Sequence, residues 1–173
     1  MTARPPEPVP TAAVGSPDQA LLGNSASLLA DLLNNEKNLN KILLIKGHSR
    51  ELGELVDAIS HAAADGEDQL KALAQRDPAL NLKALELPSG EQAARKAMAK
   101  TKEHELLFSA GDNFAFNLLV TQTDALSYGS HLAAIVADNA PDSETARQFH
   151  ALATTLEGLF KQVTAQIRSL PRK

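Results

Sequence analysis

The chain has no cysteine and no tryptophan, and aromatic residues make up only 3% of its 173 residues. The absence of cysteine excludes disulfide bonds, thiolate nucleophiles and metal sites with cysteine ligands. Hydrophobic residues nevertheless form 43% of the chain, so leucine and alanine must supply most of the core. This composition favours helices packed on helices.

The chain has no excess of basic residues, because its formal net charge is −4. We therefore expect no nucleic-acid partner. The longest uninterrupted run of large apolar residues, 42–45, is far below the roughly 20 residues of a membrane span. The first ten residues contain no apolar segment typical of a secretory signal. We expect a cytoplasmic protein, or a periplasmic one if a signal peptide has been removed.

The clearest positive signal is an amphipathic helix over residues 142–170. Pro141 prevents its extension upstream, Asp142 or Ser143 can cap its start, and Pro171 ends it. Its apolar residues recur at intervals of three and four: Phe149, Leu152, Ala153, Leu156, Leu159, Phe160, Val163, Ile167 and Leu170. Because such a helix is not stable alone, it predicts an apolar partner surface elsewhere in the chain.

Similar periodicity predicts further helices over about 25–46, 49–75 and 112–138, with a weaker helix over about 90–107. No strand-like alternation is present. We therefore expect an all-α fold in which the four main helices form an antiparallel bundle.

The domain organisation follows from composition. Residues 1–23 are rich in proline and predict a disordered arm. Residues 24–170 form the predicted bundle domain, and 171–173 are a short tail. Residues 79–88 carry spaced leucines and are expected to lie across the bundle surface.

Several polar residues stand where helices are expected to begin. Ser49 is placed to cap the second helix, and Ser89 with Gln92 fits a capping box for the weaker helix. Asp112 is a candidate cap for the next helix. Residues 139–141 form a short connection that favours antiparallel packing of the last two helices.

The histidines do not match a di-iron centre. Ferritin-like carboxylate sites use Glu-x-x-His pairs, and no glutamate stands three residues before any of the five histidines. Asp57, His61 and Asp65 share one helix face, but that face lies about 120–160° from the apolar stripe. We expect it to be a solvated acidic face, and we also expect His131 and His150 on the surface.

The first helix contains an anomaly. Its predicted apolar face consists of Leu28, Leu32, Leu39 and Leu43, and Asn35 and Glu36 interrupt that face. A buried carboxyl group needs a partner or a raised pKa, and Gln122 and Thr121 are candidate partners. Glu36, Asn35 and Gln122 are therefore the candidate inner-face polar residues, forming either a structural hydrogen-bonded group, a rim position or a ligand site.

No enzyme motif is present, because the chain contains no glycine-rich phosphate loop, no Gly-x-Ser-x-Gly and no zincin helix. Lys46 and Gly47 resemble the end of the His-x-x-Lys-Gly motif of histidine-phosphotransfer domains, but Leu43 stands at the position of the phosphorylated histidine. We therefore expect a protein that is not an enzyme and has no cofactor.

A broader resemblance covers roughly residues 25–163. It is carried by Glu36, by residues 47–52, 70–74, 87–88 and 109–114, and by Gln122. In these segments the chain resembles an uncharacterised ferritin-like family of mostly exported bacterial proteins, known as a domain of unknown function.

The chain departs from that family at its usual histidine positions. The family has Asp-His late in the second helix, where this chain has Ala62 and Ala63. It has histidines on the fourth and last helices, where this chain has Leu126 and, nearby, Leu159. The resemblance thus implies a ferritin-like bundle without the usual histidines.

These observations predict a non-catalytic structural or protein-interaction module, either on its own or as a subunit of a larger assembly. A protein partner or a second copy of the chain is the expected partner, with the proline-rich arm and residues 79–88 as contact elements. The alternative is a protein that binds a divalent metal or a small ligand around Glu36.

Overall fold

The computed structural model describes residues 17–171, and within that range it contains α-helices and no β-strand. The helices are α1 (Pro17–Glu36), α2 (Arg50–Arg76), α3 (Ser89–Phe108), α4 (Gly111–Asp138) and α5 (Ser143–Ser169), with a 3-10 helix (Leu39–Leu44) between α1 and α2. The all-α class is confirmed. Most of the predicted proline-rich arm, residues 1–16, lies outside the described residues.

The predicted bounds of the first helix, 25–46, are wrong at both ends. The helix begins at Pro17, a residue whose fixed φ suits a first helical position. Residues 17–23, assigned to the disordered arm, therefore form the first turns of α1, and Leu22 is buried. The innermost residues of α1 are Leu29 and Leu33, whereas Leu28 and Leu32 are only partly buried.

The first helix ends at Glu36 because the chain offers its backbone other hydrogen bonds there. Asn38 Nδ2 donates to the carbonyl of Asn34 at 3.1 Å, a local competition typical of asparagine. Buried Ser60 of α2 then joins both sides of the break, donating its hydroxyl to the carbonyl of Glu36 and accepting from the amide of Asn40, each at 3.3 Å.

Helices α2 and α5 begin as predicted. Ser49 Oγ accepts from the amide of Leu52 at 3.2 Å, and Asp142 Oδ1 accepts from the amide of Thr145 at 2.8 Å. The last residue of α2, Arg76, joins the start of α5 by donating to Thr145 Oγ1 at 3.0 Å. The buried stripe of α2 contains every predicted residue: Leu52, Leu55, Val56, Ile59, Ala63, Gly66, Leu70 and Leu73.

The predicted caps of α3 and α4 are wrong. No side chain caps the amides at the start of α3, and Gln92 instead donates to the carbonyls of Leu85 and Leu87 in the preceding connection. Helix α4 starts from Ala110 rather than from Asp112, and its first residue, Gly111, has φ of +56°. That left-handed value favours glycine.

The core lies between α1, α2, α4 and α5. Helix α4 packs on α5 and α1, and α2 packs on α1 and α5, so the four helices enclose one apolar interior. Helix α3 packs on α4 and buries only Leu106. Its C-terminal end is held by Lys46 Nζ, which donates to the carbonyls of Leu107 and Ser109 at 2.6 and 2.9 Å.

Two glycines allow α1 to approach its neighbours closely. A Cβ atom at Gly66 of α2 would lie 2.9 Å from methyl carbons of Leu33 and Leu152. A Cβ atom at Gly129 of α4 would lie 2.8 Å from a methyl carbon of Leu32. Both distances are shorter than carbon–carbon contact, about 3.5–4.0 Å, so these positions require glycine for the observed spacing.

The leucine-rich connection between α2 and α3 is anchored to the bundle, because Leu80 is buried and Leu82 packs against the core. None of the described helices combines the length and the apolar character that crossing a membrane requires.

Replacing Gly66 with alanine tests the close helix contact, with Gly158 of α5 as the matched control. No described neighbour lies within 4 Å of a Cβ at Gly158, so G158A should raise the free energy of unfolding by about 0.5–1 kcal/mol through helix propensity. G66A gains the same helix propensity, but its new methyl group must displace two buried leucine side chains, at a cost of about 1–3 kcal/mol. Urea denaturation should find G66A at least about 1 kcal/mol less stable than G158A. Equal stabilities would contradict the packing.

Candidate functional site

A cavity of about 800 Å³ lies between the C-terminal half of α1, the 3-10 helix, α3 and α4. Helix α3 forms its outer wall, since that helix packs on the bundle mainly through α4. The cavity is lined by Leu32, Asn35, Glu36, Asn38, Leu39, Ile42, Glu91, Arg95, Met98, Ala99, Lys102, Glu103, Leu106, Leu107, Thr121, Gln122, Asp124, Ala125 and Tyr128. It therefore combines an apolar wall with polar groups from three helices.

The structure brings the candidate residues together in this cavity. Asn35 and Glu36 are at the end of α1, and Gln122 is in the first half of α4. Thr121 also lines the cavity, but its hydroxyl donates to the carbonyl of Asn117 at 2.8 Å. Gln122 is therefore the residue that meets the carboxyl group of Glu36, with which it forms a hydrogen bond.

Burial dominates the electrostatics of Glu36. Removal from water raises the pKa of its carboxyl from 4.5 to about 6, although the hydrogen bond from Gln122 and the positive charge of Lys102 act in the opposite direction. Gln122 is only 1% exposed. The pair therefore sits in an environment that disfavours ionisation of the carboxyl group.

One oxygen of each partner lacks a hydrogen bond. Glu36 Oε2 and Gln122 Oε1 are buried and have no partner among residues 17–171. A buried oxygen without a hydrogen bond costs about 1–3 kcal/mol. The inner wall of the cavity therefore carries two acceptors that a donor could satisfy.

The two cations that line the cavity are both paired. Arg95 Nε contacts Glu91 Oε1 at 2.7 Å, and its guanidinium lies 5.5 Å from the centre of the Tyr128 ring. The carboxylate of Glu91 and the Tyr128 hydroxyl raise the pKa of Arg95. Lys102 Nζ lies 3.6 Å from Asp124 Oδ2. The Arg95–Tyr128 and Lys102–Asp124 contacts attach α3 to α4, and both cations are engaged.

Sequence reasoning missed the contribution of α3. The sequence predicted it only as a weaker helix. The structure shows that Arg95, Met98, Lys102 and Leu106 all line the cavity. Their spacing of three and four residues places them on one helix face, and that mixed apolar and basic face was the signal that could have identified it.

The histidines occupy other surfaces. All five are exposed, as predicted for His131 and His150, and the face of Asp57, His61 and Asp65 is exposed as expected. In the part of the chain that the structure describes, no three His, Cys, Asp or Glu side chains are grouped so that they could hold a metal ion.

A second cavity, of about 560 Å³, lies between α4 and α5 and is bordered by His131 and His150. His131 Nδ1 is 2.7 Å from the carbonyl of Ser127, and His150 Nε2 is 3.5 Å from Asp138 Oδ1. Both imidazoles thus have local partners. The cavity beside Glu36 is the stronger candidate because it contains buried acceptors without partners.

No known protein-family model, curated protein or solved structure matches the chain. The resemblance to the ferritin-like family therefore stays a prediction, and the chemistry of the site itself is what bears on function.

The raised pKa of Glu36 makes folding depend on pH. The folded state binds the proton of the Glu36 carboxyl more tightly than the unfolded chain does. The destabilisation caused by burying the ionised carboxylate is therefore absent below pH 4.5 and fully present above about pH 6. A shift of this size corresponds to about 2 kcal/mol at most. This pH dependence of stability is opposite in sign to that produced by a carboxylate in a salt bridge.

We therefore expect E36Q to be more stable than the wild type at neutral pH, by up to about 2 kcal/mol. The difference should decrease as the pH falls through the range from about 6 to 4.5. Urea denaturation at several pH values measures it, and D65N, which removes an exposed carboxyl of α2, controls for the loss of one charge. A stability difference that does not change with pH would contradict the buried state of Glu36.

Proposed function

We propose that this protein is a non-catalytic helical bundle that binds a small organic molecule in the cavity between α1, α3 and α4. The observation that supports this most is the pair Glu36 and Gln122, each with a buried, unpartnered oxygen, on the wall of that cavity. Binding sites for small molecules are typically apolar clefts of about 300–1,000 Å³ with a few placed polar groups. The apolar wall favours an organic ligand over a bare metal ion.

We further propose that α1, α2, α4 and α5 form an antiparallel bundle of the ferritin-like type. The closed set of packing contacts among the four helices and the short connection between α4 and α5 support this arrangement. A bacterial origin and a cytoplasmic location, or a periplasmic one after removal of a signal peptide, stay predictions.

Filling the cavity tests the binding function. Ala99 of α3 lines the cavity and is exposed, whereas Ala97 on the same helix is exposed and does not line it. In an NMR titration with hexanol, the wild type and A97F should show saturable shifts of the Gln122 and Ala125 amides. A99F should weaken binding at least about tenfold because phenylalanine occupies the space of the ligand. No saturable binding to the wild type, or equal binding to A99F, would contradict the proposal.

A second candidate function is protein interaction, with a second copy of the chain or another protein as partner. Three large apolar side chains are strongly exposed: Leu44 (85%), Ile45 (69%) and Phe108 (77%). Lys46 bonds to Leu107 and Ser109, so the end of the 3-10 helix lies beside the end of α3 and these side chains belong to one region. Exposed apolar patches of this kind often mark interaction surfaces.

Self-association through this region is tested by sedimentation velocity over a range of concentrations. We expect F108S to weaken dimer formation about tenfold or more because it removes an aromatic anchor. L21S, which changes an exposed leucine of α1 (47%), should leave the dissociation constant within about twofold. A wild type that is monomeric at every concentration would argue against self-association and leave only a different protein as the partner.

A further inference from the structure

The hydrogen-bonding chemistry of the inner wall restricts the ligand. The amide oxygen of Gln122 and an ionised carboxylate oxygen of Glu36 are acceptors only. Both are unpartnered within the described residues, so a ligand that satisfies both has to bring at least two N–H or O–H donors. A protonated primary amine carries three donors on one atom.

The charge around the cavity favours a cation. Four carboxyl-bearing residues line it (Glu36, Glu91, Glu103 and Asp124), against two cationic ones (Arg95 and Lys102). Both cations contact other carboxylates, since Arg95 pairs with Glu91 and Lys102 with Asp124. The surplus of negative charge therefore includes Glu36, the most buried of the four carboxyl groups.

The shape of the cavity requires an apolar body on that cation. Leu32, Leu39 and Ile42 line it from the α1 side, while Met98 and Leu106 line it from α3. A small hydrophilic cation would leave this wall without contacts, whereas an alkyl or aryl group would cover it.

We propose that the ligand is an amphipathic primary amine, whose ammonium group binds Glu36 and Gln122 and whose hydrocarbon part packs on the leucine and isoleucine wall. This inference rests on the proposed ligand-binding function. The two unpartnered oxygens are covered in this structure, so binding requires the side chains of Glu36 and Gln122 to turn towards the cavity that both residues line. A charge-assisted hydrogen bond in a site shielded from water is roughly twice as strong as a neutral one.

Amine binding should depend on pH through Glu36. The other titratable groups facing the site are Glu91, Arg95, Lys102 and Glu103 from α3 and Asp124 and Tyr128 from α4. Protonation of Glu36, whose pKa is about 6, removes the negative charge next to the ammonium group. Affinity for an amine should therefore be higher at about pH 7.5 than at about pH 5, by several-fold.

Three probes of equal chain length separate charge from apolar contact: hexylamine, hexanol and hexanoate. With calorimetric or NMR titration of the full chain at about pH 7.5, we expect hexylamine to bind at least about tenfold more tightly than hexanol. Hexanoate should bind more weakly than hexanol, because its charge repels the carboxylate. The advantage of the amine should decrease at about pH 5.

Two variants test whether Glu36 causes the tighter binding of hexylamine. E36Q should lower hexylamine affinity about tenfold while leaving hexanol affinity within about twofold, which also shows that the cavity is intact. The matched control is E103Q, an exposed carboxyl of the same cavity, which should leave hexylamine affinity within about threefold.

The outcomes distinguish the two proposals. Binding of hexanol as tight as that of hexylamine, or an unchanged amine affinity in E36Q, would overturn the amine assignment and leave the binding function standing. Failure of both hexanol and hexylamine to bind would overturn the binding function itself.

Discussion

The close packing of α1 against two glycines is the contact on which the rest of the molecule depends. Leu33 lies against Gly66 of α2, and Leu32 lies against Gly129 of α4. These contacts set the position of the C-terminal end of α1 between its two neighbours. Glu36 follows Leu33 by less than one turn, and Gln122 precedes Gly129 by two turns, so the same packing that forms the core also brings the carboxyl group to the amide.

The end of α1 at Glu36 then creates the cavity. The chain turns after Glu36, and Leu39 and Ile42 of the 3-10 helix form part of the cavity wall. Ser60 makes this turn possible, because its hydroxyl bonds to the carbonyl and amide groups released by the break. A buried serine in the stripe of α2 thus determines the shape of the site.

Helix α3 is held differently from the other four helices. It buries only one residue, Leu106, and is attached through the Lys102–Asp124 ion pair with α4 and through Lys46 at its end. Elements with few buried apolar contacts open at lower free energy than the core does. A wall of this kind gives a molecule access to the cavity while α1 and α4 keep Glu36 and Gln122 in place.

Much of this protein was determined by local sequence alone. The all-α class, the stripes of α2 and α5, and the caps at Ser49 and Asp142 follow from periodicity and short-range hydrogen bonding, which depend on residues a few positions apart. The anomaly at Glu36 was also visible, because a charged residue in an apolar stripe breaks the pattern. Only the tertiary structure decided where α1 ends, since Ser60 lies 24 residues away in the chain. It alone also decided that α3 faces Glu36 across a cavity. Long-range packing, rather than any local preference, sets which helix covers that carboxyl group.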